Sequence, residues 1–228
     1  DVYKRQIKSL VEPGMQVAIE GFTHLIPFAA AQEIIRQGIT GLTLIRLTPD
    51  VIFDQMIGMG CANKLIFSWG GNPGVGSLHR LRDAVENSWP TSLELDERSH
   101  AAMCVAYTAG ASGLPVGALR GFVGSDLPQY NDSIRFLDCP FTKEKLAVTS
   151  AIQPDVAIIH AQQADRQGNV MLWGIVGVQK DIALAAKRVL VTVEEVVDKF
   201  AEKSNVTVLP SWTVDTICEV PGGASPSY

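Results

Sequence analysis

Apolar residues along the chain fall in short runs separated by glycine and proline, and their spacing alternates between helical and extended. Ile7, Leu10 and Val11 recur at helical spacing in Lys4–Val11, which Pro13-Gly14 ends. MQVAIEGF (Met15–Phe22) reads as a strand running into a loop. Pro27 then opens a helix whose apolar positions Ala30, Ile34 and Ile35 repeat at three and four, with Gly38 and Gly41 stopping it. LTLIRL (Leu42–Leu47) is a second strand, Pro49-Asp50 starts the helix VIFDQMIGM, and KLIFSWGG (Lys64–Gly71) is a third strand ending in glycines. A helix near Ser77–Ser88, a strand at Ser92–Leu95 and a helix of small residues from Arg98 to Ala109 follow.

Strand, glycine loop and helix thus repeat, and the strands are continuous apolar runs rather than clean alternators. That is the mark of strands covered by helices on both faces, so the expected fold is α/β, an open, mostly parallel twisted sheet flanked by helices. One domain is expected over 1–228. Ligands of such sheets bind at the carboxyl ends of the strands. Gly21, Phe22, Thr23 and His24 would gather there with Ser68, Trp69, Gly70, Gly71 and Glu97.

Ala106 to Asp132 breaks the alternation. It is dense in glycine, holds Pro115 and Pro128, and reads as one long loop starting beside that edge. Loops longer than about 12–15 residues in a compact domain are usually functional or disordered. Leu114, Val116, Leu119, Phe122 and Val123 argue against disorder, so the stretch is a candidate site, with an ordinary surface loop as the alternative. Beyond it, VAIIHAQQAD (Val156–Asp165) and VMLWG (Val170–Gly174) form a hairpin around Gly168. A helix at Asp181–Lys187, the strand Arg188–Val197 and two short extended pieces, VTVLP and TICEVP, complete the pattern.

The chemistry is sparse. Asp165–Asn169 carries acid–base residue types, but a hairpin turn needs the same ones. Glu194-Glu195 reads as a cation site or as a solvated acidic edge. His160, inside an apolar strand, reads as a hydrogen-bonded core histidine. Glu20 ends the first strand, while Asp96 and Glu97 end the fourth before a helix, where capping or surface roles compete with general-base or nucleophilic ones. There is no Gly-x-Ser-x-Gly elbow, no catalytic Cys–His pattern, and no Gly-x-Gly-x-x-Gly fingerprint after the first strand.

Composition narrows the partners. A net charge of −5 disfavours nucleic acid, and no apolar stretch reaches the length of a membrane span. Four scattered cysteines with no CxxC pair fit reduced thiols, hence a cytoplasmic protein with no metal site. The chain begins at Asp1 without Met and stops just after Gly-Gly-Ala-Ser-Pro, so both ends read as cut and a further terminal segment is expected.

Five runs occur in one order: AGASGLP (109–115), GFVGSDL (121–127), PDVAIIHAQQADRQGNV (154–170), DIALAAKRVLVTVEEVV (181–197) and ICEVPGGASPS (217–227). In that order they resemble the A (alpha) subunits of family I CoA-transferases, and the group of glutaconate CoA-transferase A subunits in particular. The resemblance spans Gly21 to Ser227. It implies a fold of the CoA-transferase and ribose-phosphate-isomerase kind, paired with a homologous B (beta) subunit. It implies ping-pong transfer of CoA from an acyl-CoA to a carboxylic acid, with the nucleophilic glutamate on the B subunit. CoA is then a substrate and no cofactor is tightly bound. This chain would supply walls and backbone donors, with Gly124, Ser125 and Gln129 bordering the acyl pocket. Glu20 departs from the pattern, because a small residue is more usual there. The same architecture serves ring-opening acyl-CoA hydrolases, whose A subunits resemble this chain around LELDERS; Glu97 would then be the base. A third reading, a ligand-sensing module without catalysis, follows from regulators that use related folds.

Overall fold

The structure, a computed structural model, describes residues 2–72 and 76–227. The first half alternates as its apolar pattern demands: α1 (Val2–Leu10), β1 (Gln16–Glu20), α2 (Phe28–Arg36), β2 (Leu42–Ile45), α3 (Val51–Gly58), β3 (Ala62–Phe67), α4 (His79–Asn87), β4 (Glu94–Glu97) and α5 (His100–Ala111). Next come β5 (Val116–Leu119), α6 (Leu127–Tyr130), β6 (Ile134–Asp138) and β7 (Lys145–Ser150). The chain then returns through β8 (Val156–Asp165), β9 (Val170–Trp173), α7 (Gln179–Ala185), β10 (Arg188–Val197), β11 (Val206–Leu209) and β12 (Thr216–Glu219).

Seven strands run parallel in the order β12-β10-β8-β1-β2-β3-β4. The far half of β8 turns back antiparallel into β9, with Gly168 at φ +91° in the turn, and β11 pairs with β9. Asp165 organises that turn by accepting hydrogen bonds from the backbone N–H groups of Gln167 and Asn169. The acid of this run therefore shapes a hairpin.

Both faces of the parallel sheet are covered. Val17 and Ile19 of β1 pack with Ile7, Phe28, Ile34 and Phe53 on one face, while Ala18 packs with Met103, Tyr107 and Ile182 on the other. Because the side-chain period of a strand is two, Glu20 points to the face that holds Tyr107. This alternation decides where the one carboxylate of β1 ends up.

Ala106–Asp132 is not one loop. Its first residues finish α5, Val116–Leu119 pairs with β7, and Leu127–Tyr130 is a short helix. With β6, these strands form a separate antiparallel sheet in the order β5-β7-β6. The glycines serve close packing as much as turns. A Cβ on Gly110 would collide with the Ile152 carbonyl oxygen, and one on Gly117 with Val105 Cγ1.

One buried ion pair fastens this small sheet to the end of β4. Arg98 grips Asp96 with two hydrogen bonds, Nε to Oδ1 at 3.0 Å and Nη2 to Oδ2 at 2.8 Å. It also donates to Thr149 Oγ1 and to the Ser150 carbonyl, and Asn131 and Ser133 donate to Asp96. Asp96 does not cap α5: Ser99 does, accepting from the Ala102 N–H at 3.1 Å. Burial alone would push the Asp96 carboxyl up, but the Arg98 fork, Asn131 and Ser133 outweigh it and hold it below the usual carboxylate range.

A depressed carboxyl contributes stability above its unfolded pKa and loses that contribution as pH falls through the folded value. Asp96→Asn leaves the buried Arg98 charge uncompensated, so it should cost roughly 3 kcal/mol at pH 7. Urea unfolding should also show a smaller loss of stability on acidification below about pH 4 than in the parent. An unchanged midpoint and an unchanged acid limb would show that the pair carries no such weight.

Candidate active site

Three loops leave the carboxyl edge of the sheet side by side. After β1, Gly21–Leu25 turns tightly: Thr23 and Leu25 adopt φ of +62° and +55°, unusual for residues with a side chain and most of all for β-branched threonine. The turn is held from several sides. His24 Nε2–H donates to the Ile175 carbonyl at 2.7 Å, Arg46 Nη2 donates to the Gly21 carbonyl at 3.2 Å, and the Ile26 N–H donates to Ser227 Oγ at 3.1 Å. After β3, the Ser68 hydroxyl and N–H both donate to the Leu47 carbonyl, and the Gly71 N–H donates to the Pro49 carbonyl. These bonds tie the β2 and β3 loops together.

The loops enclose a cavity of about 340 Å3. The β1 loop contributes Phe22, Thr23 and Ile26; the β2 loop Arg46, Thr48 and Asp50; the β3 loop Trp69, Gly71 and Asn72; and the head of α5 His100. Burial grades along it, from Arg46 at 1% exposed through Ile26 at 3% to Trp69 at 46%. Arg46 therefore marks the floor and Trp69 the mouth. A smaller adjoining cavity shares Thr23, Ile26, Asp50 and Asn72 and is closed by Pro226 and Ser227. The terminal segment is pinned there through His160. Its Nε2 faces Glu194 Oε1 at 2.8 Å, Glu194 accepts the Gly222 N–H, and the Gly223 carbonyl accepts the Ala29 N–H.

Beneath the floor lies a buried charge cluster. Arg46 Nη1 contacts Asp50 Oδ1 at 3.1 Å, and the guanidinium stacks 5.6 Å from the Phe53 ring centroid. Asp50 also caps α3 by accepting the Ile52 N–H. Glu20 Oε1 accepts from the Leu47 N–H at 2.8 Å and from the Tyr107 hydroxyl at 2.7 Å. Burial pushes the Glu20 carboxyl up to about 7, against the pull of Arg46 and both hydrogen bonds. Burial likewise raises Asp50, against the same Arg46. Among the described residues no cluster of His, Cys, Asp or Glu is able to hold a metal ion.

A model of the coenzyme A transferase family matches residues 3–220. The chain belongs to the coenzyme A transferase family. It is 60% identical over 225 residues to the A subunit of the 3-oxoadipate CoA-transferase of Pseudomonas knackmussii, covering 99% of this chain and 80% of that one. It is 33% identical to the A subunit of the glutaconate CoA-transferase of Acidaminococcus fermentans, over 98% and 75% of the two chains. The crystal structure of that glutaconate enzyme superposes with a TM-score of 0.88 at 32% identity, covering 99% of this chain and 76% of its own. A cholesterol ring-cleaving hydrolase subunit of Rhodococcus jostii is more distant, 26% identical over 92% and 74%. The chain is thus the A subunit of a family I CoA-transferase, and its parallel sheet flanked by helices is that family's.

Within this CoA-transferase subunit, the residues expected at the edge separate into groups. Phe22, Thr23, Trp69 and Gly71 line the cavity. Gly21 supports it through its carbonyl, Ser68 braces the β2 loop, and His24 turns away to Ile175, its ring lying against Gly174. Gly70 faces Leu81 of α4 instead. Gly124, Ser125 and Gln129 sit between β5 and β6, off the cavity wall; Ser125 Oγ accepts the Leu127 N–H and Gln129 donates to Asp126. Their segment meets the sheet edge at Asn131, which donates to Asp96 and to the Glu97 carbonyl. Glu97 itself is exposed at the end of β4 and lies off the cavity wall.

The loop after β2 is the part of the wall that the edge rule should have supplied and did not. Its signal is an arginine near the end of the apolar run LTLIRL, with Thr48 and Asp50 just beyond.

The Glu20 carboxyl has a testable consequence. Its folded pKa of about 7 lies above the ordinary value of 4.5, so its contribution to stability is present at low pH and is lost as pH rises through that interval. Glu20→Gln removes the loss. At pH 8 the variant should be more stable than the parent by as much as about 3 kcal/mol, with a flatter stability profile between pH 4.5 and 7. A variant equally or less stable at pH 8 would mean that Glu20 is ionised without cost.

Proposed function

We propose that this chain and a homologous B subunit form a CoA-transferase that moves CoA from an acyl-CoA to a free carboxylic acid by ping-pong exchange. A glutamate of the B partner attacks the thioester carbonyl and CoA leaves as thiolate, giving a mixed anhydride. The thiolate then attacks the glutamyl carbonyl, releasing the first acid and forming a glutamyl-CoA thioester. The acceptor carboxylate reverses both steps and carries CoA away. Dividing the exchange in this way replaces one hard displacement with easier ones, and N–H donors around the cavity stabilise each oxyanion. CoA enters and leaves as a substrate.

The observation that supports the reading most is how the carboxylates of the cavity are engaged. Its one lining carboxylate, Asp50, is held by Arg46 and by the head of α3, while Glu20 lies behind the wall with two hydrogen bonds on one oxygen. The wall offers apolar contacts, hydroxyls and amides, with no free nucleophile among the described residues. Such a half-site suits a chain that receives its nucleophile from a partner. The 60% identity to a 3-oxoadipate CoA-transferase chain makes 3-oxoadipate the first acceptor to assay.

Incubating the A/B complex with acyl-CoA and borohydride should reduce the glutamyl thioester and leave a CoA-dependent modification on a glutamate of the B partner. No CoA-dependent modification of any glutamate would exclude the mechanism. Glu97→Gln in the same complex should keep CoA transfer within about threefold, because a side chain off the cavity gives up no transition-state contact. A fall of roughly a thousandfold or more would instead mark Glu97 as an essential base and favour ring hydrolysis.

A further inference from the structure

The cavity has a polar floor under apolar walls. Phe22, Ile26 and Trp69 supply hydrocarbon and aromatic surface, whereas Arg46, Thr48 and Asn72 cluster donor groups. Arg46 is the exceptional member: a permanently charged side chain, 1% exposed, on the wall of a pocket for a small molecule. Its five N–H donors are not used up. Nη1 meets Asp50, Nη2 makes a long bond to the Gly21 carbonyl, and Nε has no partner, one of two such buried side-chain atoms among the described residues.

We infer that Arg46, with Thr48 and Asn72, anchors the far carboxylate of a dicarboxylic acyl group, so that the enzyme selects diacids over monoacids. The inference rests on the transferase reading above and adds the residue that sets its specificity. The acyl chain runs from the mouth at Trp69, where the partner's nucleophile must arrive, past Phe22 and Ile26 to the floor. A carboxylate arriving there shares Arg46 with Asp50. Glu20 does not add a full third negative charge, because its burial leaves it close to half protonated at neutral pH. A monoacid of the same length would place a methyl group against the guanidinium and leave it unanswered.

The test is a ratio. In the A/B complex, kcat/KM for 3-oxoadipate over that for 3-oxohexanoate should be on the order of 100, the discrimination expected from one charge-assisted pair. Arg46→Gln should collapse this ratio to within about threefold of one, and Arg46→Lys, which keeps the charge without the fork, should fall between. A ratio unchanged while both rates fall together would make Arg46 a structural residue and overturn the inference. The parent complex gives an answer without any variant: adipate should bind on the order of 100-fold more tightly than hexanoate by calorimetry. Equal affinities overturn the inference. A complex that transfers CoA to neither acid but still prefers adipate would contradict the transferase reading while upholding the anchor.

Discussion

A guanidinium that cannot lose its proton is buried at the carboxyl edge of a parallel sheet, and the surrounding structure answers to it. Leaving such a charge unpaired in the interior costs several kcal/mol, so the fold brings it Asp50, the Gly21 carbonyl and the face of Phe53. Two of these contacts, and Glu20 beside them, have a second consequence. Asp50 starts α3, Gly21 sets the course of a turn that holds Thr23 and Leu25 at positive φ, and Glu20 reaches across to fix the Leu47 N–H. The loops after β1 and β2 are therefore positioned by one electrostatic constraint, and Ser68 and Gly71 join the β3 loop to the same frame through backbone carbonyls.

Burial on this scale is tolerated because the carboxyls adapt. The Glu20 carboxyl is raised to about 7, whereas that of Asp96, gripped by the Nε–Nη2 edge of Arg98, is held below the usual carboxylate range. Two carboxyls at the ends of strands in one sheet are thus shifted in opposite directions. Glu20 meets one phenolic hydroxyl, one backbone N–H and an arginine paired with Asp50; Asp96 takes two hydrogen bonds from Arg98 and further ones from Asn131 and Ser133. The first arrangement borders the cavity, and the second ties the small antiparallel sheet to β4.

Much of this was legible in the residues. Continuous apolar strands such as LTLIRL and VAIIHA announced a covered parallel sheet, and the order of five runs pointed to the family. The small sheet was hidden because β5 is four residues long and interrupted by Gly117, whose purpose is contact with Val105 rather than a turn. On the far side of β7, β6 exposes the neighbouring Phe136 and Leu137 and shows no clean alternation. Of the edge residues, those on the β1 and β3 loops were readable from strand ends followed by glycine. Arg46, Thr48 and Asp50 were not, because the loop after β2 carries no glycine and its arginine passed as part of a strand. The closing of the adjoining cavity by Pro226 and Ser227 depends on contacts some two hundred residues apart, which no local pattern records.

The most direct measurement is a crystal structure of the assembled A/B complex with a dicarboxylic acyl-CoA bound. The thioester should lie at the mouth beside Trp69, the acyl chain between Phe22 and Ile26, and the terminal carboxylate against Arg46. An acyl group seated elsewhere, with the cavity between the β1, β2 and β3 loops left to solvent, would contradict this placement.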